Sequence, residues 1–317
     1  MASFLTFFLF FLGLLGAALG NNNQTNDNPP PKPVVHPSLD EHLGPALFEH
    51  LPPTWGDWKG WASGWIPKPC REAAEQHHLN PWEMEVYSVK FTDCDEPWTI
   101  CRYYNDSSSI AKMVETLGKI PIGMREYAST MMTLPDLGGA VGLTYEREDG
   151  APVIQFLVGW LAETVLVHEI SHVLDTQIRR EHSKNGWFSN SDWWQGNYSL
   201  DTAAVTGYAM HNWKENFAEA AISAVYNLVV PGGLANLTAE AQSVSHVVST
   251  YTSAVGNIIK PRSKPQCTKR WPNHPVVPVS DKKVPSYPPP DVRIKSKNIT
   301  VIEKVSRDVI GDYILPH

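Results

Sequence analysis

The sequence has no tract of clustered lysine and arginine, no internal repeat and only four cysteines. Its 26 basic and 33 acidic side chains leave a formal charge of −7 at neutral pH. Phosphate backbones demand a concentrated positive face, so nothing in this charge pattern points to a nucleic-acid partner. Four cysteines are too few for a disulfide-dense scaffold. An even count in an oxidising compartment still argues for two bridges among Cys70, Cys94, Cys101 and Cys267. Three connectivities are possible. Cys94 and Cys101 flank the short DEPWTI segment, so Cys94–Cys101 with Cys70–Cys267 is the expected pairing.

What the chain does have begins at its first residue. MASFLTFFLFFLGLLGAALG is an uncharged run of the length of a secretory signal, ending in Ala18-Leu19-Gly20 before the polar NNNQTND. The absence of lysine or arginine at its start is unusual for such a signal, and an uncleaved anchor is the rival reading. Small residues at the exit favour cleavage after Gly20, leaving roughly 300 residues, enough for one large or two modest domains, and no stable membrane anchor. The expected destination is extracellular or the cell wall. Asn-X-Ser/Thr sequons at Asn23, Asn105, Asn197, Asn236 and Asn298 agree with export of a glycoprotein.

Residues 21–53 are rich in Asn and Pro with little apolar periodicity, which predicts a flexible leader. PPTWGDWKGWASGWIP follows, with Trp55, Trp58, Trp61 and Trp65. Burial against the domain is the expectation for these rings, with a stacking platform for sugars or a prolyl peptide as the alternative. Alternating apolar residues predict strands in WEMEVYSVKF, WTICRYY, GAVGLTYERE and PVIQFLVG. Helices are expected in SSSIAKMVETLGKI, opened by a serine cap, and from about Trp160 to Ile178. Two more are expected in NWKENFAEAAISAVYNLV and TAEAQSVSHVVSTYTSAVGNII. NGWFSNSDWWQGNYS, carrying Trp187, Trp193 and Trp194, reads as a folded loop that lines something. From Pro261 to Asp291 the chain is Pro-rich and is expected to lie extended over the domain or hang free, while the last residues are unassigned. The expected domain is therefore α+β over residues 54–260, with an extension over 261–317.

VLVHEISHVLD carries the chemistry. Residues four apart on a helix project together, so His168 and His172 can share one Zn²⁺. Glu169 lies about 100° round the helix, within reach of a metal-bound water as general base. A third protein ligand is needed. The HExxHxxGxxH pattern fails, because Asp175 and Ile178 occupy its glycine and histidine positions. A glutamate about 20 residues beyond His172 is also missing, since Ser191 and Asp192 stand there. In ENFAEA, Asn212 and Glu215 read as a capping box, which gives Glu215 a structural task. Glu219, amid Phe217, Ala218, Ala220 and Ala221, is then the expected third ligand, with Glu215 the runner-up. Asp175 is a candidate for orienting a ligand histidine from behind.

HEISH followed by ENFAEA resembles the gluzincin group of zinc metallopeptidases over about Trp160 to Leu228. The similarity is greatest to the branch containing the anthrax lethal factor catalytic domain and the secreted Pro-Pro endopeptidases. It implies a zincin-like fold, a small mixed sheet packed on an active-site helix and a ligand-bearing helix. It also implies His168, His172 and Glu219 as ligands, Glu169 as base and a peptide or protein as substrate. That branch places an oxyanion-stabilising tyrosine seven residues before its ligating glutamate, where this chain has Asn212. Tyr208 is the candidate substitute, ahead of Tyr226. The chain's overall layout also resembles secreted fungal proteins described as conidiation-specific. Two other readings stand beside the peptidase: a zinc-containing wall glycoprotein without activity, and a glycan binder built on Trp193 and Trp194.

Overall fold

The alternation in MEVYSVKF sends Met84 and Val86 to one side of a sheet and Val89 and Phe91 to the other, and each side has its own core. The structure is a computed structural model that describes residues 28–135, 142–146, 152–157, 161–178, 186–262, 266–267, 269–293 and 297–298. Along the chain run α1 (Leu39–His50), β1 (Gly56–Gly60), β2 (Trp65–Pro67), α2 (Lys68–Gln76), β3 (Met84–Phe91), β4 (Trp98–Tyr103), α3 (Ile110–Lys119) and α4 (Ile122–Arg125). Next come β5 (Thr130–Leu134), β6 (Gly142–Glu146), β7 (Pro152–Leu157), α5 (Glu163–Gln177) and α6 (Asp192–Leu200). The remainder are α7 (Trp213–Val229), α8 (Gly233–Leu237), α9 (Ser245–Ile259), β8 (Lys269–Arg270), β9 (Val276–Pro278) and β10 (Lys297–Asn298).

The fold is α+β, as expected. Its main sheet has the order β1-β3-β4-β5-β7-β6. β4, β5 and β7 run parallel, while β1, β3 and β6 join antiparallel to their neighbours. Helices α1, α3, α5, α7 and α9 pack into the larger core on one face, with α5 against α7 and α7 against α9. The smaller core on the opposite face gathers Ile66, Cys70, Ala73, Met132 and Val153. Among the described residues no helix is long and apolar enough to cross a membrane. The predicted signal at residues 1–20, Asn23 and the last nineteen residues lie outside the described residues.

Residues 28–53 pack onto the domain, which corrects the flexible reading for them; residues 21–27 lie outside the described residues. Leu39, Leu43 and Leu47 fall at helical spacing on α1 and are buried with Leu51, contributing roughly 1.5–3 kcal/mol each. Proline content masked this stripe, and Pro45 sits inside the helix. Upstream, Val34 and Ala204 form a parallel bridge: Val35 N–H donates to the Ala204 carbonyl at 3.1 Å, and Ala204 N–H to that of Pro33 at 2.8 Å. The Lys32 ammonium donates to the carbonyls of Tyr198 and Asp201.

The disulfides are Cys70–Cys101 and Cys94–Cys267, not the expected pairs. Cys101 points into the smaller core beside Cys70 of α2, whereas Cys94, beyond the end of β3, belongs to the larger core. The sheet therefore separates two cysteines that the sequence brings close. Cys267 reaches Cys94 because the tail returns across the domain, where its N–H donates to the Asp93 carbonyl at 2.8 Å. Of the two options for the Pro-rich segment, the structure takes the extended one: β9 pairs with β2, and Asp281 pairs with Arg71 at 2.7 Å.

The four tryptophans from Trp55 to Trp65 divide: Trp61 and Trp65 are half-buried, with Trp61 packed against the smaller core as expected. Trp55 is 70 % exposed and Trp58 is exposed on β1, so burial does not explain them. NGWFSNSDWWQGNYS, read as a loop, contains α6, capped where Ser191 Oγ accepts from Trp194 N–H. Trp194 is fully buried and donates through Nε1 to Asn216 Oδ1 at 3.0 Å. A core indole of this kind cannot stack on a glycan, which removes Trp194 from the glycan-binding reading.

Candidate metal centre

Helix α5 places His168 and His172 one turn apart, with Leu166, Val167, Ile170, Val173 and Leu174 burying its other faces. Helix α7 runs against it. Asn212 caps α7 alone, its side-chain oxygen accepting from the N–H groups of Lys214 and Glu215 at 2.9 and 3.0 Å. The Glu215 carboxylate is thereby released from the expected capping box and turns to the histidines. Glu215 Oε2 lies 3.0 Å from His168 Nε2 and 3.3 Å from His172 Nε2. The two Nε2 atoms are 3.1 Å apart. These residues form the one group of metal-competent donors found among the described residues.

Glu219, the expected third ligand, stands elsewhere. Its Oε1 is 2.7 Å from His168 Nδ1, the nitrogen facing away from the cluster. Its Oε2 accepts from the Thr206 hydroxyl at 2.7 Å. A carboxylate there fixes the imidazole's orientation and leaves Nε2 to the cluster. The orienting task expected of Asp175 thus falls to Glu219. Asp175 is fully buried and accepts from Ser189 N–H at 2.7 Å, tying the end of α5 to the segment before α6.

Glu169 turns toward the sheet's β6 edge. Its Oε2 accepts from the Thr144 hydroxyl at 2.7 Å. A Cβ on Gly142 would fall 2.3 Å from its Oε1, so glycine leaves the carboxylate its room. Tyr208 is 53 % exposed, its ring stacked 6.0 Å from that of His168. A cavity of about 370 Å³ opens beside His168, Glu169, Glu219 and Tyr208. Leu39 and Leu43 of α1 supply its apolar wall with Val165 and Ile222. The leader therefore helps to build the site. Thr144, Gly142 and Thr206 carried no signal in the sequence, since a lone threonine or glycine in a polar stretch has no distinguishing pattern.

The electrostatics follow from burial and pairing. Burial opposes the charged form of His168, yet hydrogen bonds to Glu215 and Glu219 outweigh it and push the imidazole up to about 10. Burial alone would raise Glu215, but its two histidine partners hold it well below the usual carboxylate range. Glu169 is raised, chiefly by burial. Asp175, deep in the core, is pushed up to about 6 by burial.

The profile of the conidiation-specific protein Con-13 family matches residues 39–309, from the first residue of α1 through the tail. The chain belongs to the Con-13 family. Within that family it is similar to conidiation-specific protein 13 of Neurospora crassa, 27 % identical over 235 residues. The alignment covers 72 % of this chain and 65 % of the relative, so the chain spans about two-thirds of that protein's length. No solved structure matches the chain. Membership of the Con-13 family agrees with the resemblance to fungal conidiation proteins drawn from the sequence.

Proposed function

We propose that the chain is a secreted zinc-dependent peptidase of zincin-like fold, with His168, His172 and Glu215 as ligands and Glu169 as general base. The observation that carries this reading is the triangle of donors. Ligands about 2.0–2.1 Å from a tetrahedral Zn²⁺ lie about 3.3–3.4 Å from one another, and the three donor atoms here are 3.0, 3.1 and 3.3 Å apart. The carboxylate needs a positive charge among these imidazoles, which a proton on His168 or a bound cation can supply. When bound there, zinc supplies a Lewis acid that acidifies a water and polarises a peptide carbonyl.

The chain's own residues then divide the work. Glu169, held by Thr144, accepts the water's proton and passes it to the leaving amine. Glu219 and Thr206 hold His168 in its tautomer and orientation. The Tyr208 hydroxyl is the candidate donor to the developing oxyanion. With Glu215 as ligand, the tyrosine that the resembling peptidase branch places seven residues earlier is Tyr208 itself. Asn212 then has only a capping role. β6 ends the sheet, so its outer edge can add an extended substrate strand beside Glu169. Two disulfides support an oxidising destination. The relative's name makes conidiation the proposed setting.

Metal analysis of the purified mature protein, then peptide-library profiling with and without chelator, tests the reading. Stoichiometric zinc and chelator-sensitive cleavage are expected, with Glu169→Gln keeping zinc and losing cleavage. Undiminished cleavage by that variant would sink the mechanism; zinc with no cleavage of any peptide would favour the inactive wall glycoprotein.

A further inference from the structure

Two motifs unused by the metal centre, the tryptophan-rich stretch around β1 and the proline-rich tail, meet at the β1 side of the sheet. A cleft of about 270 Å³ is walled there by Trp61, Trp65, Trp82 and Tyr87, over a floor of Met84 and Val86. β1 and β6 lie at opposite edges of the sheet, which separates this cleft from the metal centre.

The chain's own tail crosses the cleft margin as a strap. Trp65 Nε1 donates to the Tyr287 carbonyl at 3.1 Å. The Tyr287 hydroxyl donates to the Ser63 carbonyl, and the Lys283 ammonium stands 5.3 Å from the Trp82 ring centroid. Gly64 makes room for this contact: its φ is +112°, and a Cβ there would lie 2.8 Å from Pro285 Cγ. The strap reads Val284-Pro285-Ser286-Tyr287-Pro288-Pro289-Pro290. Prolines cannot donate to a ladder and favour an extended, solvated backbone. Flat aromatic rings with an indole N–H aimed at a carbonyl are the chemistry that recognises such chains.

A saccharide would ask for more polar partners than the cleft offers. Trp61 Nε1 is committed to Ser88 Oγ at 2.8 Å. Glu85 Oε2 accepts from the Tyr87 hydroxyl at 2.9 Å and from Arg102 at 2.6 Å. Ring faces are the main recognition surface that remains.

We propose that this cleft is a binding site for extended proline-rich peptide, with the strap as a tethered occupant of one end. A separate ligand competes with the strap, whose short tether gives it an effective concentration in the millimolar range. Calorimetric titration of the full chain with the capped peptide VPSYPPP tests this. A strap-loosened variant, Pro285→Ala with Tyr287→Ala, is expected to bind about tenfold more tightly than the unaltered protein. Adding Trp65→Phe, which keeps the ring and removes the N–H, should weaken binding about fivefold, as expected for a lost hydrogen bond of about 1 kcal/mol. Adding Trp82→Ala should weaken it further. Unchanged indole resonances of the core residues Trp98 and Trp194 guard against misfolding. The proposal is overturned if the loosened, folded variant fails to bind at millimolar peptide, if Trp65→Phe and Trp82→Ala leave binding unaltered, or if neutral oligosaccharides bind there in preference.

Discussion

Glu215 and Glu219 stand one turn apart on α7, and which of them ligates the proposed metal gives a sharp test. Glu215→Ala removes a donor that lies 3.0 and 3.3 Å from the two histidine nitrogens. Structural zinc sites with four protein ligands bind with about 10–16 kcal/mol, so each ligand is worth on the order of 3 kcal/mol, about two orders of magnitude in affinity. Glu219→Ala instead removes the acceptor of His168 Nδ1. Outer partners of this kind change metal affinity by about 10–100-fold. Glu219→Gln keeps an oxygen for that bond and should lose less than Glu219→Ala. The expected order of zinc affinity is therefore wild type, Glu219→Gln, Glu219→Ala, Glu215→Ala. Competition against a chromophoric chelator reads the constants, and elemental analysis after gel filtration checks the occupancy. If Glu219→Ala loses zinc as readily as Glu215→Ala, or more so, the assignment drawn from the donor triangle is wrong.

Tyr208→Phe should lower kcat by about 10²–10³ with little change in KM or zinc content, as expected for loss of an oxyanion donor; an unchanged kcat would remove the tyrosine from the chemistry. Gly142→Ala puts a methyl group 2.3 Å from Glu169 Oε1, too close for both to stay. The flexible carboxylate can swing aside, so Tm should move little while cleavage falls more than tenfold, in line with loss of general base catalysis. Full activity in that variant would show that Glu169 works from another position. The two disulfides enclose sequence separations of 31 and 173 residues. Chain-entropy arithmetic makes them worth about 4 and 5 kcal/mol respectively. Urea unfolding of Cys70→Ser/Cys101→Ser against Cys94→Ser/Cys267→Ser should find the second pair costlier, and the opposite order would show that local packing outweighs loop closure.

The half of the centre on α5 was legible because its signal is local. HEISH fixes two imidazoles on one face through helical period alone, and the structure keeps both there. The half on α7 was legible as a helix, and the ligand proposed from the structure stands one turn before the one expected from the sequence. N-x-x-E suggested that Glu215 was needed for capping, but a single asparagine oxygen serves both leading N–H groups. Once the cap is complete without it, Glu215 is the carboxylate on the first turn facing α5, and Glu219 reaches the far side of the same imidazole. Under the proposed assignment, the seven-residue spacing from Tyr208 to Glu215 is the clue in the sequence, since a stabilising tyrosine and its ligand would move together by one turn.

The remaining misreadings share a cause in the sheet, which separates residues that are close in sequence and gathers residues that are far apart. Cys94 and Cys101 are seven positions apart yet belong to different cores, and Cys94 finds its partner 173 residues away. Composition also disguised α1, where prolines and polar residues surround a leucine stripe that becomes visible only when α5 and α7 are present to cover it. The consequence reaches the site. Leu39 and Leu43 wall the cavity beside His168 and Glu169, and Lys32 and Val35 pin the same segment to the rest of the fold. The segment that composition marked as a flexible leader thus sets the shape of the cavity beside the two α5 residues.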